Sequence, residues 1–454
     1  MWRDTGQRRG SAYASVARVA VTVSLSARAY FLVALIVLLA IAGQWSSAEI
    51  GYLWRYPAAV LLCALLLEGI RARQKRLHLR HHCDARLTLG EPERLTIVAG
   101  NPAPRTIQLE TQLRLPASLS GDESLQQWRI PGRETVTRSF PIMPTALGGT
   151  TAGTLYTRTL GHLGLAWWSR RIGSETQSMV VPSSLEHGEA GAGQQRPGVQ
   201  QARRRQDSGD NLLALREYQR GDSPHAIDWK ATARRGKTMV RVYARDQQMD
   251  MLLVIDAGRT SRLQAGALTR LHHYVNIAAR LAQLAALQGD QVGLMSFSNE
   301  RLDTLPIAPG MRALPLIRAR LGGLRSQSSD FNPLSAALEA SRILRQRCLV
   351  VFLCEIEQQE AATQLARACS LLSPKHLSLV ASLVDSDVRE LLGERCEQWL
   401  DPYRRLAALE YTRSQRATAL NLTRLGAEVV LSTPRDLDSK VMQRYRHLRQ
   451  RQRV

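Results

Sequence analysis

The residues densest in potential chemistry lie between Leu215 and Gln248, in the run LREYQRGDSPHAIDWKATARRGKTMVRVYARDQQ. Arg216, Glu217, Arg220, Asp222, Asp228, Lys230, Arg234 and Arg235 mix both signs of charge there, with Tyr218 and Trp229 interleaved. A guanidinium holds a carboxylate through two parallel hydrogen bonds, so Arg216 and Arg234 are expected to engage Asp222 and Asp228. Using the two aspartates as an acid/base dyad would also require a reactive partner and a cleft, which the sequence does not display. The run therefore reads as a buried ion-pair network that fixes the segment against the domain that follows. His78, His81, His82 and Cys83 form a second cluster. Only His78 and His82 have the i, i+4 spacing of a helical metal pair, with no second ligand group, and a basic helix beside a membrane would look the same.

Positioning these residues requires defined elements. Pro224 suits a first helical position with Ser223 as N-cap, Ile227 and Ala231 share a face, and Gly236 can end the helix in the left-handed conformation. The strand TMVRVYA is expected next. From Met249 onward, the apolar runs MDMLLVID, QVGLMSFS, CLVVFLCE, HLSLVASLV and AEVVLS alternate with helical stretches at 266–287, 332–344, 359–372 and 403–425. Continuous apolar strands alternating with helices predict a doubly wound α/β domain with a parallel sheet covered on both faces. Ligands of such sheets bind beyond the carboxyl ends of the strands. The last run, 435–454, is a basic helix with Leu437, Val441, Tyr445 and Leu448 along one side as a docking stripe.

Upstream, 84–182 shows short alternating runs (RLTL, RLTIVAGN, RTIQLETQLRL, ETVTRSFPI, TLYTRTLG, TQSMVV), which predict an antiparallel β-sandwich. The apolar insert LGLAWW at Leu163 to Trp168 is expected to pack on that sheet. Two further apolar stretches, Ala29 to Gly43 and Tyr56 to Ile70, read as a pair of transmembrane helices once flanking residues are included. Arginines cluster before the first and after the second, placing both termini and the soluble domains in the cytosol beneath the inner (cytoplasmic) membrane. The chain thus divides into a basic N-terminus (1–28), a transmembrane hairpin (29–70), a β-sandwich (84–182), a flexible Gly/Gln/Arg-rich linker (186–209), a charged segment (210–248), the α/β domain (249–434) and a basic terminal helix (435–454).

The string R-E-Y-x-x-G-D-x-x-x-x-I-D-W-K-A-T-A-R at Arg216 to Arg234 resembles the signature of the bacterial domain-of-unknown-function family 58, with Arg216, Tyr218, Gly221, Asp222, Asp228, Trp229 and Arg234 as the matching positions. The resemblance implies paired membrane helices, a β-sandwich, the signature, and a von Willebrand factor A-like domain. It also implies a MoxR-type AAA+ ATPase, or its client, as protein partner. Where von Willebrand A domains carry D-x-S-x-S to hold magnesium, this sequence has Asp256-Ala257-Gly258-Arg259-Thr260-Ser261. Asp256 and Thr260 align, Gly258 replaces the first serine, and Asp330 and Glu355 fall in loops where the remaining oxygen ligands would lie, so magnesium is the implied ion of a degenerate site.

A Walker phosphate loop, a G-x-S-x-G elbow and an H-E-x-x-H helix are all missing, so no catalytic residues are assigned. The expected function is a membrane-anchored scaffold or adaptor that binds a protein partner and assists assembly or maturation. The alternative is a membrane-associated nucleic-acid-binding protein, since the formal charge is +22. A low aromatic fraction and the lack of a reader module weigh against that alternative.

Overall fold

Along Glu93–Gly100, alternate residues Leu95, Ile97 and Ala99 are buried while their neighbours are not, the two-residue period of a strand with one face in a core. The computed structural model describes residues 22–43, 52–74, 77–174, 176–185, 212–220, 222–243, 248–298, 301–330, 332–357, 359–393 and 398–451. The chain forms two units, one of Met1–Leu87 and Glu91–Val180, the other of Thr88–Gly90 and Val181–Val454.

The first unit is β-rich. An antiparallel sheet runs in the order Thr22–Leu25, Ala166–Gly173, Thr154–Leu160, Ile107–Arg114, Gln126–Ile130. A second runs in the order His78–His82, Glu93–Gly100, Thr135–Pro144, Leu119–Gly121. Trp128 and Phe140 meet between the two at 6.4 Å, and the buried Trp128 donates its indole N–H to Thr111 Oγ1 at 2.8 Å. All six alternating runs are strands. The LGLAWW insert differs from expectation, because its second half begins the strand Ala166–Gly173. A turn with Gly164 at φ 71° folds it back so that Trp167 lies opposite Leu160. His78–His82 is likewise a strand and not a helix. Strand alternation exposes His78 and His82 and buries His81, whose Nε2 lies 3.1 Å from the Gly153 carbonyl.

The expected transmembrane pair is not supported: among the described residues no helix is long and apolar enough to cross a membrane. Helix α1, Ala27–Gly43, has 17 residues, about 25 Å at 1.5 Å each against a hydrocarbon core of about 30 Å. Helix α2, Arg55–Gln74, has 20 residues but carries Arg55, Glu68, Arg71 and Arg73. The start of α1 is also tied to the sheet, since Ser26 Oγ donates to the Gly164 carbonyl at 2.6 Å. The multi-pass inner-membrane location falls with the two spans. The linker 186–209 lies outside the described residues.

In the second unit, six strands form one sheet: β1 (Asp250–Ile255), β2 (Gln291–Ser298), β3 (Arg301–Pro309), β4 (Cys348–Leu353), β5 (Leu377–Leu383) and β6 (Glu428–Ser432), in the order β3-β2-β1-β4-β5-β6. All neighbours are parallel except β3, which returns antiparallel along β2. Every β4 residue is buried, as a strand covered on both faces demands. The short helix of the charged segment, α3 (Trp229–Arg235), precedes the sheet. Helices α4 (Arg270–Leu287) and α5 (Gly310–Gly323) pack together, as do α6 (Pro333–Ile343) and α7 (Gln359–Leu372). Helices α8 (Ser386–Gly393) and α9 (Asp401–Arg424) follow β5, and α10 (Leu437–Arg451) follows β6.

The stripe expected on α10 is present, with Leu437, Val441, Tyr445 and Leu448 all buried. Its polar anchor is Asp290, fully buried in the turn before β2. That carboxylate accepts from the Tyr445 hydroxyl, from Arg449 Nε at 2.9 Å and from the Met249 N–H at 3.2 Å. Removing one partner of a buried pair strands the other charge. Asp290→Ala is therefore expected to cost about 3–5 kcal/mol in urea unfolding of the full chain, and a loss under about 1 kcal/mol would show that the anchor is not buried.

Candidate functional site

The carboxyl ends of β1, β4 and β5 gather a set of charged residues. Asp256 follows β1, Glu355 and Glu357 follow β4, and Asp385 follows β5. Arg270, in the first turn of α4, reaches into the middle of them. It is 3% exposed and lies 2.8 Å from Glu355, 2.9 Å from Glu357 and 3.9 Å from Asp385. The 2.8 Å contact is an ion pair without the alignment of a hydrogen bond. Burial works against the Arg270 charge, but Glu355 and Glu357 outweigh it and hold the guanidinium firmly protonated. Tyr274, one turn along α4, donates its hydroxyl proton to Glu355 Oε1 at 2.6 Å. Burial nevertheless pushes the Glu355 carboxyl up, with the Glu357 charge adding to the rise and Arg270 and Tyr274 opposing it.

Asp256 is 2% exposed and closes its own turn, accepting the Gly258 N–H at 2.7 Å. Burial raises its carboxyl to about 6, while hydrogen bonds from the backbone of Gly258 and Glu355 and from the Thr260 hydroxyl hold it lower than burial alone would. Of the four residues implied for magnesium, then, Asp256 accepts the Gly258 N–H, Thr260 sits in the short turn Arg259–Arg262, and Glu355 is spent on Arg270 and Tyr274. Asp330 sits at the surface, 3.2 Å from Arg259 Nε. Among the described residues no group of three or more His, Cys, Asp or Glu side chains is arranged to hold a metal ion. An ion here would have to displace the Arg270 contact from Glu355 and draw Asp330 off Arg259, so these donors as placed do not fit it. Sequence reasoning missed Arg270, Tyr274, Glu357 and Asp385. Thr269 caps α4 by accepting the His272 N–H at 3.4 Å, which makes the arginine after it a signal, but nothing local says that it turns inward.

The signature forms an antiparallel excursion, Leu212–Glu217 against Met239–Tyr243, that encloses a short turn at Pro224–Ala226 and α3. The helix expected from Ser223 is interrupted. Ile227 is extended and bridges to Val240, so Ser223 caps nothing and Asp228 starts the true helix, accepting N–H bonds from Lys230 and Ala231, both at 3.0 Å. Gly236 ends it at φ 65°, as expected. Arg216 holds Asp222 through two bonds of 2.8 and 2.5 Å, and Asp222 also accepts the Gln219 N–H at 2.8 Å. The Arg216 bond is the chief reason that the Asp222 carboxyl is held below its ordinary range. This network is exposed where the sequence suggested burial, and Asp228 serves as a cap where Arg234 was expected to claim it. Trp229 stands 71% exposed and Tyr218 40% exposed, and Lys230, Arg234 and Arg235 on α3 are exposed as well. Gly221 lies outside the described residues.

A buried acid whose folded pKa exceeds its unfolded value favours folding while protonated, and that contribution fades as pH rises. For Asp256 the window runs from about 4 to about 6. Wild type is expected to lose up to about 3 kcal/mol relative to Asp256→Asn across that window, measured as the difference between their unfolding free energies at each pH. Parallel curves would remove the raised carboxyl.

Residues 214–395 match the family model described as protein of unknown function DUF58. No curated protein matches. The cupredoxin domain of amoB from Nitrosocaldus yellowstonii is similar over 23% of this chain and 86% of its own, at 11% identity and a TM-score of 0.16, too low to carry an argument. The match takes in the signature excursion, β1 to β5 and the strand-end cluster, so the likeness of the Arg216 to Arg234 string to that family extends over residues 214–395, less than half of the chain.

Proposed function

We propose that this chain is a scaffold or adaptor that binds a protein partner through its DUF58 segment and acts by holding polypeptides together, without making or breaking bonds. The observation that carries the reading is Trp229, a large indole kept in solvent on a braced excursion. Burying such a ring normally stabilises a fold, and tryptophan, tyrosine and arginine are the residues on which interface energies concentrate. The Arg216–Asp222 bonds, the Asp228 cap and the left-handed Gly236 order the backbone around it in advance, which lowers the entropic cost of association. Lys230, Arg234 and Arg235, exposed on the same short helix, favour a partner that offers acidic side chains with its apolar notch. A MoxR-type AAA+ ATPase, or a client that it remodels, is the partner that the family resemblance suggests.

A purified MoxR-type ATPase titrated with the full chain is expected to bind, and Trp229→Ala to weaken that binding by about tenfold or more (at least ~1.4 kcal/mol). Arg234→Glu should weaken it further as ionic strength falls, since repulsion is then less screened. Unchanged affinity in both variants would overturn the assignment of this surface. Tight binding of duplex DNA at physiological salt, abolished by the same changes, would replace the protein partner with nucleic acid.

A further inference from the structure

In the β-rich unit, the space between α1, α2 and the strands Ile107–Arg114, Thr154–Leu160 and Ala166–Gly173 is a cavity of about 420 Å³. That volume lies in the range of small-molecule sites, about 300–1,000 Å³. We propose that it binds a hydroxylated organic phosphate, a polyol phosphate either free or as the headgroup of a lipid. The site is separate from the signature excursion and does not depend on the reading given above.

Charge comes first. Arg28, Arg71, Arg105, Arg170 and Arg171 all line the cavity, against one carboxylate. Arg28, Arg71 and Arg105 are exposed residues, Arg105 Nη1 lying 2.6 Å from Nε2 of His162, another lining residue, while the Arg171 guanidinium stands over the Tyr156 ring. Guanidinium groups pair with phosphate oxygens through planar, two-pronged bonds, which makes phosphate the anion best matched to such a set.

Buried polar atoms then specify what accompanies the phosphate. Glu68 is 2% exposed. Its Oε1 accepts the Leu163 N–H at 3.0 Å, while its buried Oε2 meets no hydrogen-bond donor. The place is built for this side chain, because a Cβ on Gly161 would lie 1.8 Å from Glu68 Oε1, so only glycine there admits the carboxylate. Trp168, another lining residue, has a buried indole N–H that likewise meets no acceptor. Leaving such groups unmatched is costly, on the order of 1–3 kcal/mol each. A hydroxyl group both donates and accepts, so a polyol offers a donor to Glu68 Oε2 and an acceptor to Trp168 Nε1. Leu79, Ile107 and Leu160 supply the apolar wall against which a carbon skeleton packs.

The test uses the full chain and three probes: glycerol 3-phosphate, ethyl phosphate, which has the anion without spare hydroxyls, and phosphatidylglycerol vesicles compared with phosphatidylcholine vesicles. Calorimetry is expected to show glycerol 3-phosphate binding about tenfold tighter than ethyl phosphate. Arg71→Ala with Arg105→Ala should weaken both by about tenfold or more, whereas Glu68→Gln should erase the preference between them. Trp168→Phe keeps the ring and removes the N–H, and it reads the same preference should Glu68→Gln fail to fold. If the natural source is lipid, phosphatidylglycerol vesicles co-float with the chain, phosphatidylcholine vesicles do not, and glycerol 3-phosphate competes. The proposal is overturned if neither glycerol 3-phosphate nor phosphatidylglycerol binds, if the two soluble phosphates bind equally, or if binding survives the arginine changes.

Discussion

Arg270 carries its charge into the protein at the first turn of α4, and the carboxyl ends of β4 and β5 are arranged around it. Moving a guanidinium out of water costs several kcal/mol, which only close carboxylates and aligned donors offset. Glu355, Glu357 and Asp385 supply the charge. Tyr274 knits the same loops together, donating to Glu355 and accepting the Leu383 N–H at 3.2 Å. The loop after β1 is tied to β4 beside it, where the Asp256 N–H donates to the Leu353 carbonyl at 3.0 Å. The end of the sheet at which doubly wound folds bind ligands is here occupied by the protein's own counter-ion.

The order of the signature excursion comes from a different kind of interaction. Its bonds are short-range and solvated: a two-pronged Arg216–Asp222 pair, a helix cap at Asp228, and a salt bridge of 2.9 Å between Lys237 and Glu217. Pairs at the surface contribute little to global stability, so their role is to fix a local backbone shape. What that shape displays is the exposed Trp229 ring and the exposed basic residues Lys230, Arg234 and Arg235.

In the β-rich unit the apolar helices that resemble membrane spans are interrupted by function-like residues. Glu68 would be expensive in hydrocarbon. It is instead accommodated within the protein against Gly161 and the Leu163 N–H. The outer surfaces of α1 and α2 still leave Phe31, Leu38 and Val60 exposed, which is why hydropathy alone read the pair as a hairpin in a bilayer.

Local pattern determined much of this protein. Period-two alternation marked Glu93–Gly100 and five other strands, continuous apolar runs marked the five parallel strands, and the spacing of Leu437, Val441, Tyr445 and Leu448 marked the buried side of α10. The pairing of Arg216 with Asp222 and the end of α3 at Gly236 were also legible, because both partners lie within a few residues of each other or depend on one residue's own backbone freedom. The edge strand β3 and the strand Ala166–Gly173 were not, since their pairing depends on neighbours and not on an alternating pattern of their own. Arg270 meeting Glu355 from 85 residues away, Asp290 receiving Arg449, and Glu68 lodging against Gly161 were decided by tertiary structure alone. The physical reason is shared: a charge can be buried only where distant segments bring its counter-groups within a few ångströms, and no property of the isolated segment records which segments those are.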